Sequence, residues 1–355
     1  MKNIILFIAA LILFSGCNQQ NDKKAKSDNL EEVATSENQW TGMTISRDGR
    51  IFVNFPRWSE DIEMAVGEIM KSGEIVPFPN EKWNSWNSDK KNPENYLVCV
   101  QSVVIDNNNH LWILDTGNPQ FNGVIPYAPK LLEVDLKTGE VINKVVFGFD
   151  VLKDNSYLND LRINTKSRHV YITDSNDGAI VVYNYENGNI RRVLDEHYST
   201  EPELPLVING EPWRTGEGNL SFVASDGIAL DKEKEYLYYH ALSGLSLYRI
   251  KTNILEDNSI DKYSMRDHVE FVARTGASDG LITGPDNEIY HSNVEENAII
   301  RYNQNGRIDT VVKDQRIKWP DTFAFGPKGH LYFTTSQIHI SEPKQPFKIF
   351  KVNVE

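Results

Sequence analysis

The sequence predicts an all-β fold because one strand–turn–strand pattern recurs six times. Each copy joins an alternating apolar segment, a polar turn rich in Asp, Asn, Gly or Lys, and a second segment that carries an aromatic residue. Alternation with a period of two around such a turn is typical of a β-hairpin. Hairpins that recur at intervals of roughly 40 to 70 residues, each too small to bury a core alone, predict a six-bladed β-propeller. The copies are residues 41–54, 101–114, 159–173, 226–240, 279–292 and 321–334.

The repeats predict one large domain that fills most of the chain. They run from residue 41 to residue 334 of 355 without a break, so a single all-β domain accounts for them better than two domains do. We place the propeller at residues 40–355 and expect it to be a monomer. Residues 17–39 are polar and contain neither Gly nor Pro, and this composition predicts a disordered tether ahead of the domain.

The first residues predict a lipoprotein signal peptide at 1–16. Lys2 is followed by the apolar run 4–14, which is too short to span a bilayer. Ser15 and Gly16 then precede Cys17, as in a bacterial lipobox, and this resemblance implies cleavage before Cys17 and acylation of its thiol. An ordinary signal peptide with an incidental cysteine is the alternative. We expect an extracytoplasmic lipoprotein of the cell envelope, on the outer membrane or the cell surface.

The charge balance excludes some classes of partner. The chain has 37 Lys and Arg against 50 Asp and Glu, a formal net charge of −13. An acidic surface argues against nucleic acid and against a polybasic membrane patch. We therefore expect a small-molecule ligand, a lipid anchor in the membrane and no nucleic-acid partner. With Cys17 acylated, only Cys99 remains, so no intramolecular disulfide is predicted and Cys99 is expected to be a buried apolar residue.

Aligning the six repeats places one polar residue of each at the same position, just before the first strand. If these strands are the innermost of their blades, their starts converge at one mouth of the central channel. Residues far apart in the sequence are then gathered into one ring. The set is Thr41, Gln101, Asn159, Asp226, Asp279 and Asp321.

Three aspartates and an asparagine in one ring predict a site for a cation or a small polar ligand. Like charges at close range repel, so a bound cation must neutralise them or some of them must take up protons. Oxygen ligands of this kind suit Ca²⁺ or Mg²⁺ and not zinc, so a divalent cation of this type is expected in the ring if its charges are not neutralised by protons. In the structural alternative, each Asp before a Gly caps its own turn or bonds a neighbouring blade.

Several long segments resemble the yellow / major royal jelly protein family, whose bacterial members are often lipoproteins or secreted. The resemblance covers residues 40–345 and implies a six-bladed propeller with a ligand site at one mouth of the channel. Members include proteins associated with dopachrome conversion, binders of biogenic amines and nutritive proteins, so no single function is implied. The segments are VQSVVIDNNNHLWILDTG (100–117), YLNDLRIN (157–164), YITDSNDGAIVVYNYENG (171–188), DGIALDKEKEYLYYHALSG (226–244) and WPDTFAFGPKGHLYFTTSQIH (319–339).

A more distant resemblance is to the gluconolactonase / regucalcin family of six-bladed enzymes, which bind a divalent cation. It implies that Asn159 and Asp279, in LNDLRIN and SDGLITG, are cation ligands, and it places Asp226 where that family has a ligand Asn. Those enzymes supply a further Glu from an early strand, where this chain has Thr41. Asp321 could supply the missing charge from the last blade. The resemblance thus implies one divalent cation, Ca²⁺ before others, bound by Asn159, Asp226 and Asp279.

Histidines and tryptophans outside the ring add candidates. His339, after the last repeat, and His197, in the loop 194–200, match segments of the first family and could approach the mouth. Trp319 could floor a pocket for a flat or cationic ligand, with packing between blades as its alternative. The candidate catalytic residues are Asp226, Asp279 and His339, and the candidate ligand-binding residues are Gln101, Asn159, Trp319 and Asp321.

Absent motifs narrow the reaction classes. The sequence has no GxSxG, no P-loop, no GxGxxG after a strand and no Cys-rich metal framework, which argues against serine hydrolases, kinases and dinucleotide enzymes. Three hypotheses remain open. The chain is an enzyme, either a tautomerase-type isomerase or a metal-dependent lactonase; or it binds a ligand without turnover; or it is a scaffold for protein partners.

Overall fold

The fold is a six-bladed β-propeller, as the repeats predict. The structure, a computed structural model, describes residues 29–216, 218–341 and 345–354. In these residues, six antiparallel four-stranded sheets follow one another around a central channel, and the first strand of each repeat is the innermost of its blade. The innermost strands of neighbouring blades contact one another and line the channel.

The strands follow the chain from blade to blade, with one exception at the start. Strand β1 (Glu31–Ser36) belongs to the sixth blade. The first blade contains β2 (Met43–Ile45), β3 (Ile51–Asn54), β4 (Val66–Ile69) and β5 (Ile75–Pro77). The second contains β6 (Val100–Ile105), β7 (His110–Asp115), β8 (Lys130–Asp135) and β9 (Glu140–Val146). The third contains β10 (Leu158–Asn164), β11 (His169–Asp174), β12 (Ala179–Asn184) and β13 (Ile190–Val193).

A two-stranded ribbon separates the third and fourth blades. It contains β14 (Val207–Ile208) and β15 (Glu211–Pro212). The fourth blade contains β16 (Ser225–Leu230), β17 (Tyr236–Ala241), β18 (Ser246–Lys251) and β19 (Glu270–Arg274). The fifth contains β20 (Leu281–Thr283), β21 (Ile289–Asn293), β22 (Ala298–Tyr302) and β23 (Ile308–Lys313). The sixth contains β24 (Pro320–Phe325), β25 (Leu331–Thr335), β26 (Phe347–Val352) and β1.

Helices are short and lie in the connections. The α-helices are α1 (Glu81–Asn84) and α2 (Thr252–Glu256), and 3-10 turns cover Pro93–Asn95, Pro119–Phe121 and Ser264–His268. Among the helices of the described residues, none has the length and apolar character needed to cross a bilayer.

The ring is closed by pairing the first strand of the chain with the last. Strand β1 pairs antiparallel with β26, and ion pairs join Glu31 to Lys351 and Glu32 to Lys348 at 2.8 and 2.6 Å. The predicted domain boundary at residue 40 is therefore too late, since 31–36 are a strand and not part of a tether. An outermost strand is largely exposed, so its polar composition resembles that of a tether. The predicted signal peptide and Cys17 lie outside the described residues.

Packing between blades forms the core. Each blade presents apolar side chains on both faces, and these meet the neighbouring blade, as where Leu114 and Leu131 of the second blade pack with Leu161 and Ile172 of the third. Burial of this apolar surface is the main driving force for closing the ring. Cys99 is a free, fully buried residue, as predicted, and burial raises the pKa of its thiol to about 12.

The two ends of the channel differ in their connections. Because neighbouring strands are antiparallel, the connections between blades lie at the end where the innermost strands begin, which we call the loop face. It carries the long segments 78–99, 116–129 and 194–224. The opposite end, the hairpin face, consists mainly of tight turns such as Ser46–Gly49 and Asp231–Lys234, each closed by a backbone hydrogen bond of 2.9 or 3.1 Å.

Candidate functional site

The innermost strands are irregular where they begin at the loop face. The pairing of four of them with their second strands shifts register at this point, between Val100 and Ser102, Leu158 and Leu161, Ser225 and Ile228, and Pro320 and Phe323. A β-bulge re-aims the side chains of the residues that it leaves unpaired. The polar residues of the predicted ring lie in these bulges, among them Gln101, Asn159, Asp226 and Asp321.

Glycines allow the fourth, fifth and sixth blades to approach closely here. A Cβ atom on Gly227 would lie 2.1 Å from the carbonyl oxygen of Asp279, and one on Gly280 would lie 1.8 Å from the carbonyl oxygen of Asp321. Both distances are far inside van der Waals contact, and the obstacle is backbone in each case. The two DG pairs therefore bring the aspartates of successive blades together.

The predicted residues form a continuous chain of contacts at this mouth. Asn159 Nδ2 donates to Asp226 Oδ2 at 2.5 Å. Asp226 and Asp279 share a hydrogen bond between their side chains, and Trp319 Nε1 donates to Asp279 Oδ2 at 2.6 Å. Asp321 is near enough for its charge to act on Asp226. The ring inferred from the alignment is thus a physical cluster, which we call the carboxylate cluster: Asn159, Asp160, Asp226, Asp279 and Asp321.

Asp160 is the member that the sequence analysis missed. It accepts from Ser102 Oγ at 2.7 Å and lies 3.3 Å from Arg162 Nη1. In a regular strand the side chains of Asn159 and Asp160 would point to opposite faces. The bulge between Leu158 and Leu161 breaks this alternation. Its electrostatic effect reaches Asp226, Asp279 and Asp321. The sequence pair Asn159-Asp160 is the one indication that a second polar residue of this strand lies at the mouth.

Burial shifts the carboxyl pKa values upward. The pKa of Asp226 is well above its ordinary value because of burial first, then the charges of Asp279 and Asp321. The pKa of Asp321 is also well above its ordinary value, because of burial and the charge of Asp279. Burial raises the pKa of Asp279 to about 7, although the hydrogen bonds from Trp319 and Asp226 act in the opposite direction. The two carboxyls therefore titrate as a coupled pair that retains at least one proton near neutral pH.

Trp319 and His339 extend the cluster outward through aromatic contacts. The two rings are stacked with centroids 5.6 Å apart, and Trp213 of the 194–224 segment packs edge-on against Trp319 at 5.0 Å. His339 Nδ1 is buried and has no hydrogen-bond partner among the described residues. Burial and the charge of Lys318 lower the pKa of His339 to about 4, so the ring is neutral at pH 7. Trp319 separates His339 from Asp279.

Gln101 is directed toward an aromatic group on the second-blade side of the mouth. Its Oε1 accepts from the hydroxyl of Tyr157 at 2.9 Å, and Trp58 Nε1 donates to that hydroxyl at 2.6 Å. The exposed ring of Phe121 stacks on Tyr157 with centroids 4.7 Å apart. Phe121 also has φ of 57°, a strained value for a bulky residue. Gln101 and these rings form one wall beside the carboxylate cluster.

His197 is not brought to the cluster. It is buried, and its Nδ1 is 2.7 Å from Ser199 Oγ, which in turn bonds the hydroxyl of Tyr239 at 2.7 Å. Tyr239 belongs to β17, the second strand of the fourth blade, so this chain of contacts ties the loop to that blade. The expectation that His197 approaches the mouth is wrong, because its loop packs against the fourth blade through Ser199 and Tyr239.

The charges define what the mouth can bind. Four carboxyl groups face one another, and the guanidinium of Arg162 beside Asp160 is the cation paired with them among the described residues. Four carboxyl groups in one place can share a proton, bind a hard divalent cation or bind a cationic organic group.

Comparisons with known proteins agree with this architecture. A sequence model of the family described as Major royal jelly protein matches residues 98–344. Major royal jelly protein 5 of Apis mellifera is 27% identical over 240 residues, which are 63% of this chain and 36% of that protein. The chain therefore spans about a third of the length of this curated relative.

Two solved structures resemble the fold at low identity. A luciferin-regenerating enzyme has a TM-score of 0.56 at 10% identity, over 91% of this chain and 94% of that one. A gluconolactonase of Xanthomonas campestris has a TM-score of 0.54 at 9% identity, over 91% of this chain and 89% of that one. At these identities, the likeness concerns the fold alone.

Proposed function

This chain belongs to the major royal jelly protein family, and we propose that its loop face binds a small polar or aromatic metabolite and moves a proton on it, as a tautomerase-type isomerase. The region that matches the family contains the whole carboxylate cluster. Family membership itself does not define a reaction. The proposal therefore depends on the chemistry of the cluster.

The observation that carries the proposal is the hydrogen-bonded pair of Asp226 and Asp279. Burial raises the pKa of Asp279 to about 7 and that of Asp226 well above its ordinary value, so the pair retains a proton that it can share near neutral pH. A general base works best when its pKa is near the working pH, and an acid beside it completes the pair. Both residues are almost fully buried, with exposures of 4% and 6%, so the pair is shielded from bulk water.

A proton shift needs no other reactant. The carboxylate of Asp279 takes a proton from the carbon next to a carbonyl group, while the carboxylic acid of Asp226 donates its proton to the carbonyl oxygen. The product is the enol tautomer, and the hydrogen bond between the two carboxyl groups returns the proton to Asp226. Asn159, which donates to Asp226, keeps that carboxyl oriented.

The surrounding residues supply ligand contacts. Trp319 is fully buried between the blades and fixes Asp279 through its indole N–H, whereas the partly exposed His339 and the exposed Phe121 offer aromatic surface. Flat faces of this kind bind aromatic or cationic groups. Asp321 adds an acidic acceptor at the same mouth.

Tautomerisation of dopachrome-like and phenylpyruvate-type compounds, followed by ultraviolet absorbance, tests the proposal. Asp279→Asn and Asp226→Asn should each lower the rate by about 10²–10⁴-fold because they remove the base or the acid. Asp286→Asn, an exposed aspartate on the hairpin face of the fifth blade, is the matched control and should keep full activity. Equal activity in all three variants would contradict the assignment.

A metal-dependent lactonase is the second candidate, and the excess of negative charge favours it. Asn159, Asp226 and Asp279 offer oxygen atoms that fit Ca²⁺, with Asp321 as a further carboxylate. A bound divalent cation would polarise a lactone carbonyl and keep the carboxyls ionised. The oxygen ligands are of the type that such a cation prefers, although the early-strand Glu of the gluconolactonase-like enzymes is replaced by Thr41.

Thermal melts with chelator, and then with Ca²⁺, Mg²⁺ or Mn²⁺, separate the two candidates. A cation that binds only the native state raises Tm by mass action. A rise with one ion that is lost in Asp279→Asn supports the lactonase, and lactone hydrolysis is then measured. A Tm that does not respond contradicts it. If an amine raises Tm and no substrate is turned over, the protein binds its ligand without catalysis.

We also propose that the protein acts outside the cytoplasm, anchored through a lipid on Cys17. The apolar run 4–14 and the small residues before Cys17 support this. Metabolic labelling with a fatty acid should mark the native chain and not Cys17→Ser. Labelling of both would contradict the anchor site.

A further inference from the structure

The hairpin face has a cavity at the other end of the channel from the carboxylate cluster. Its volume is about 290 Å³, near the lower end of the range for small-molecule sites. Apolar residues of several innermost strands, and polar or charged residues of these strands and the adjoining turns, line it in similar measure. A small-molecule site combines apolar surface with polar groups that fix the orientation of the ligand, and this cavity offers both.

Arg162 closes the inner end of this cavity. Its Nη1 donates to the Leu161 carbonyl at 2.6 Å, and its Nη2 donates to the carbonyl of Leu281. Because Leu161 is on the third blade and Leu281 on the fifth, the side chain reaches across the channel past the fourth blade. The guanidinium thus lies between the carboxylate cluster, where Asp160 is 3.3 Å away, and the cavity that it lines.

Lys234 places a second positive charge in the same cavity. It lies in the turn between β16 and β17, with φ of 64°, and the turn is held by Thr252 Oγ1, which donates to the Lys234 carbonyl at 2.7 Å. Its ammonium has no hydrogen-bond or ion-pair partner among the described residues, and the side chain is only partly exposed. Burial and the charge of Arg162 lower the pKa of Lys234.

The acidic residues that line the cavity are occupied by their own turns. Asp231 Oδ1 accepts from the backbone N–H groups of Glu235 and Tyr236, at 2.7 and 3.0 Å. Asp106 Oδ1 accepts from backbone N–H groups of its turn, and Asp106 Oδ2 accepts from Trp112 Nε1 at 3.1 Å. Neither carboxylate is hydrogen-bonded to Lys234. Asp231 is near enough for its charge to act on Lys234, but the ammonium forms no direct ion pair among the described residues and can still take one from a bound anion.

We propose that the hairpin-face cavity binds a small organic anion, with a carboxylate or phosphate group between Lys234 and Arg162 and an apolar body against the aliphatic wall. Lys232, at the rim, donates to the Pro285 carbonyl and adds positive charge without being required. The site is separate from the loop-face reaction, because Arg162 stands between the two.

Binding of benzoate, phenyl phosphate and neutral benzamide to the full chain tests this site by thermal melts and calorimetry. At least one anion should raise Tm in a saturable manner, and benzamide, of similar shape, should not. The relative affinities of benzoate and phenyl phosphate show which anionic group is preferred. Lys234→Gln should weaken the anion at least about tenfold, the effect of one charge-assisted hydrogen bond.

Two further variants show whether the anion binds inside this cavity. Lys166→Gln, which removes an exposed charge from the same face outside the cavity, should bind the anion as the natural chain does. Asp279→Asn should also bind it normally, so failure of the loop-face proposal leaves this one intact. No response to either anion, an equal response to benzamide, or unchanged binding in Lys234→Gln would overturn the site.

Discussion

At Gly280, an added methyl group would lie 1.8 Å from the carbonyl oxygen of Asp321, which is backbone and cannot move aside. Gly280→Ala should therefore destabilise the chain by about 1–3 kcal/mol or more, because the fifth and sixth blades must separate. Chemical denaturation measures this loss. Gly216→Ala, at a position with no atom within 4 Å of the added methyl, should change the free energy of unfolding little. Equal stability of both variants would show that the blades are not in such close contact.

The hydrogen bond from Trp319 to Asp279 predicts a shift in one titration. Trp319→Phe removes the donor at 2.6 Å but keeps an aromatic ring. Because that bond stabilises the ionised carboxylate, the pKa of Asp279 should rise above its value of about 7. Carbon-detected NMR of the aspartate carboxyls measures it. Trp213→Phe, which alters the ring packed on Trp319 but not the donor, should leave the titration unchanged.

At the scale of elements, strand β1 links the start of the propeller to its end. A chain that begins at Asn38 lacks this strand and leaves β26 as an unpaired edge, so its Tm should fall and its tendency to aggregate should rise. A chain that begins at Asn29 keeps β1 and is the control. The exposed ion pairs of β1 contribute little, so Lys351→Gln should cost much less than the truncation. Similar melting of both truncated chains would mean that β1 does not close the ring.

The sequence predicts the blades well because alternation and turn chemistry are local. The innermost and second strands follow the six repeats, and even the position of Asp226, Asp279 and Asp321 follows from counting along each repeat. Bulges are not local in this sense, since pairing with another strand decides them, and Asp160 was missed for that reason. Strand β1 was missed because an exposed outer strand has no apolar face to signal it.

At the scale of the whole molecule, the closed ring determines which charges meet. Arg162 belongs to the third blade, yet it bonds the Leu281 carbonyl of the fifth and separates two ends of one channel. No spacing along the chain predicts that crossing. The same holds for Lys234, whose position in a turn is evident from the sequence but whose neighbour Arg162 is not. For a site formed by several blades, the sequence therefore predicts which residues take part but not which of them touch one another.

Two sets of buried groups give the propeller opposite responses to pH. Burial lowers the pKa of His240 and of His339 to about 4, so their contribution to stability is present above the unfolded value near 6.5 and is lost as the pH falls. Burial raises the pKa values of Asp226, Asp279 and Asp321. Their contribution is present below the unfolded value near 4 and is lost as the pH rises through the folded values. Between about pH 4 and 6.5 the two sets therefore act in opposite directions, and above about pH 6.5 only the carboxyl set still changes the free energy of unfolding.

The pH range above about 6.5 isolates the effect of the carboxylate cluster on stability. Above a pH of about 6.5 the histidines are neutral in both states, so the slope there comes mainly from protons that the native aspartates retain. Each retained proton lowers the free energy of unfolding by about 1.4 kcal/mol per pH unit. Urea unfolding between pH 6.5 and 8.5, in the absence of divalent cations, should show this decline in the natural chain. Replacing Asp226, Asp279 and Asp321 together by Asn should remove most of it, whereas Asp286→Asn should not. An unchanged slope in the triple variant would mean that the cluster is already ionised in the native state. Asp226 and Asp279 would then share no proton, and the proposed isomerase mechanism would be contradicted.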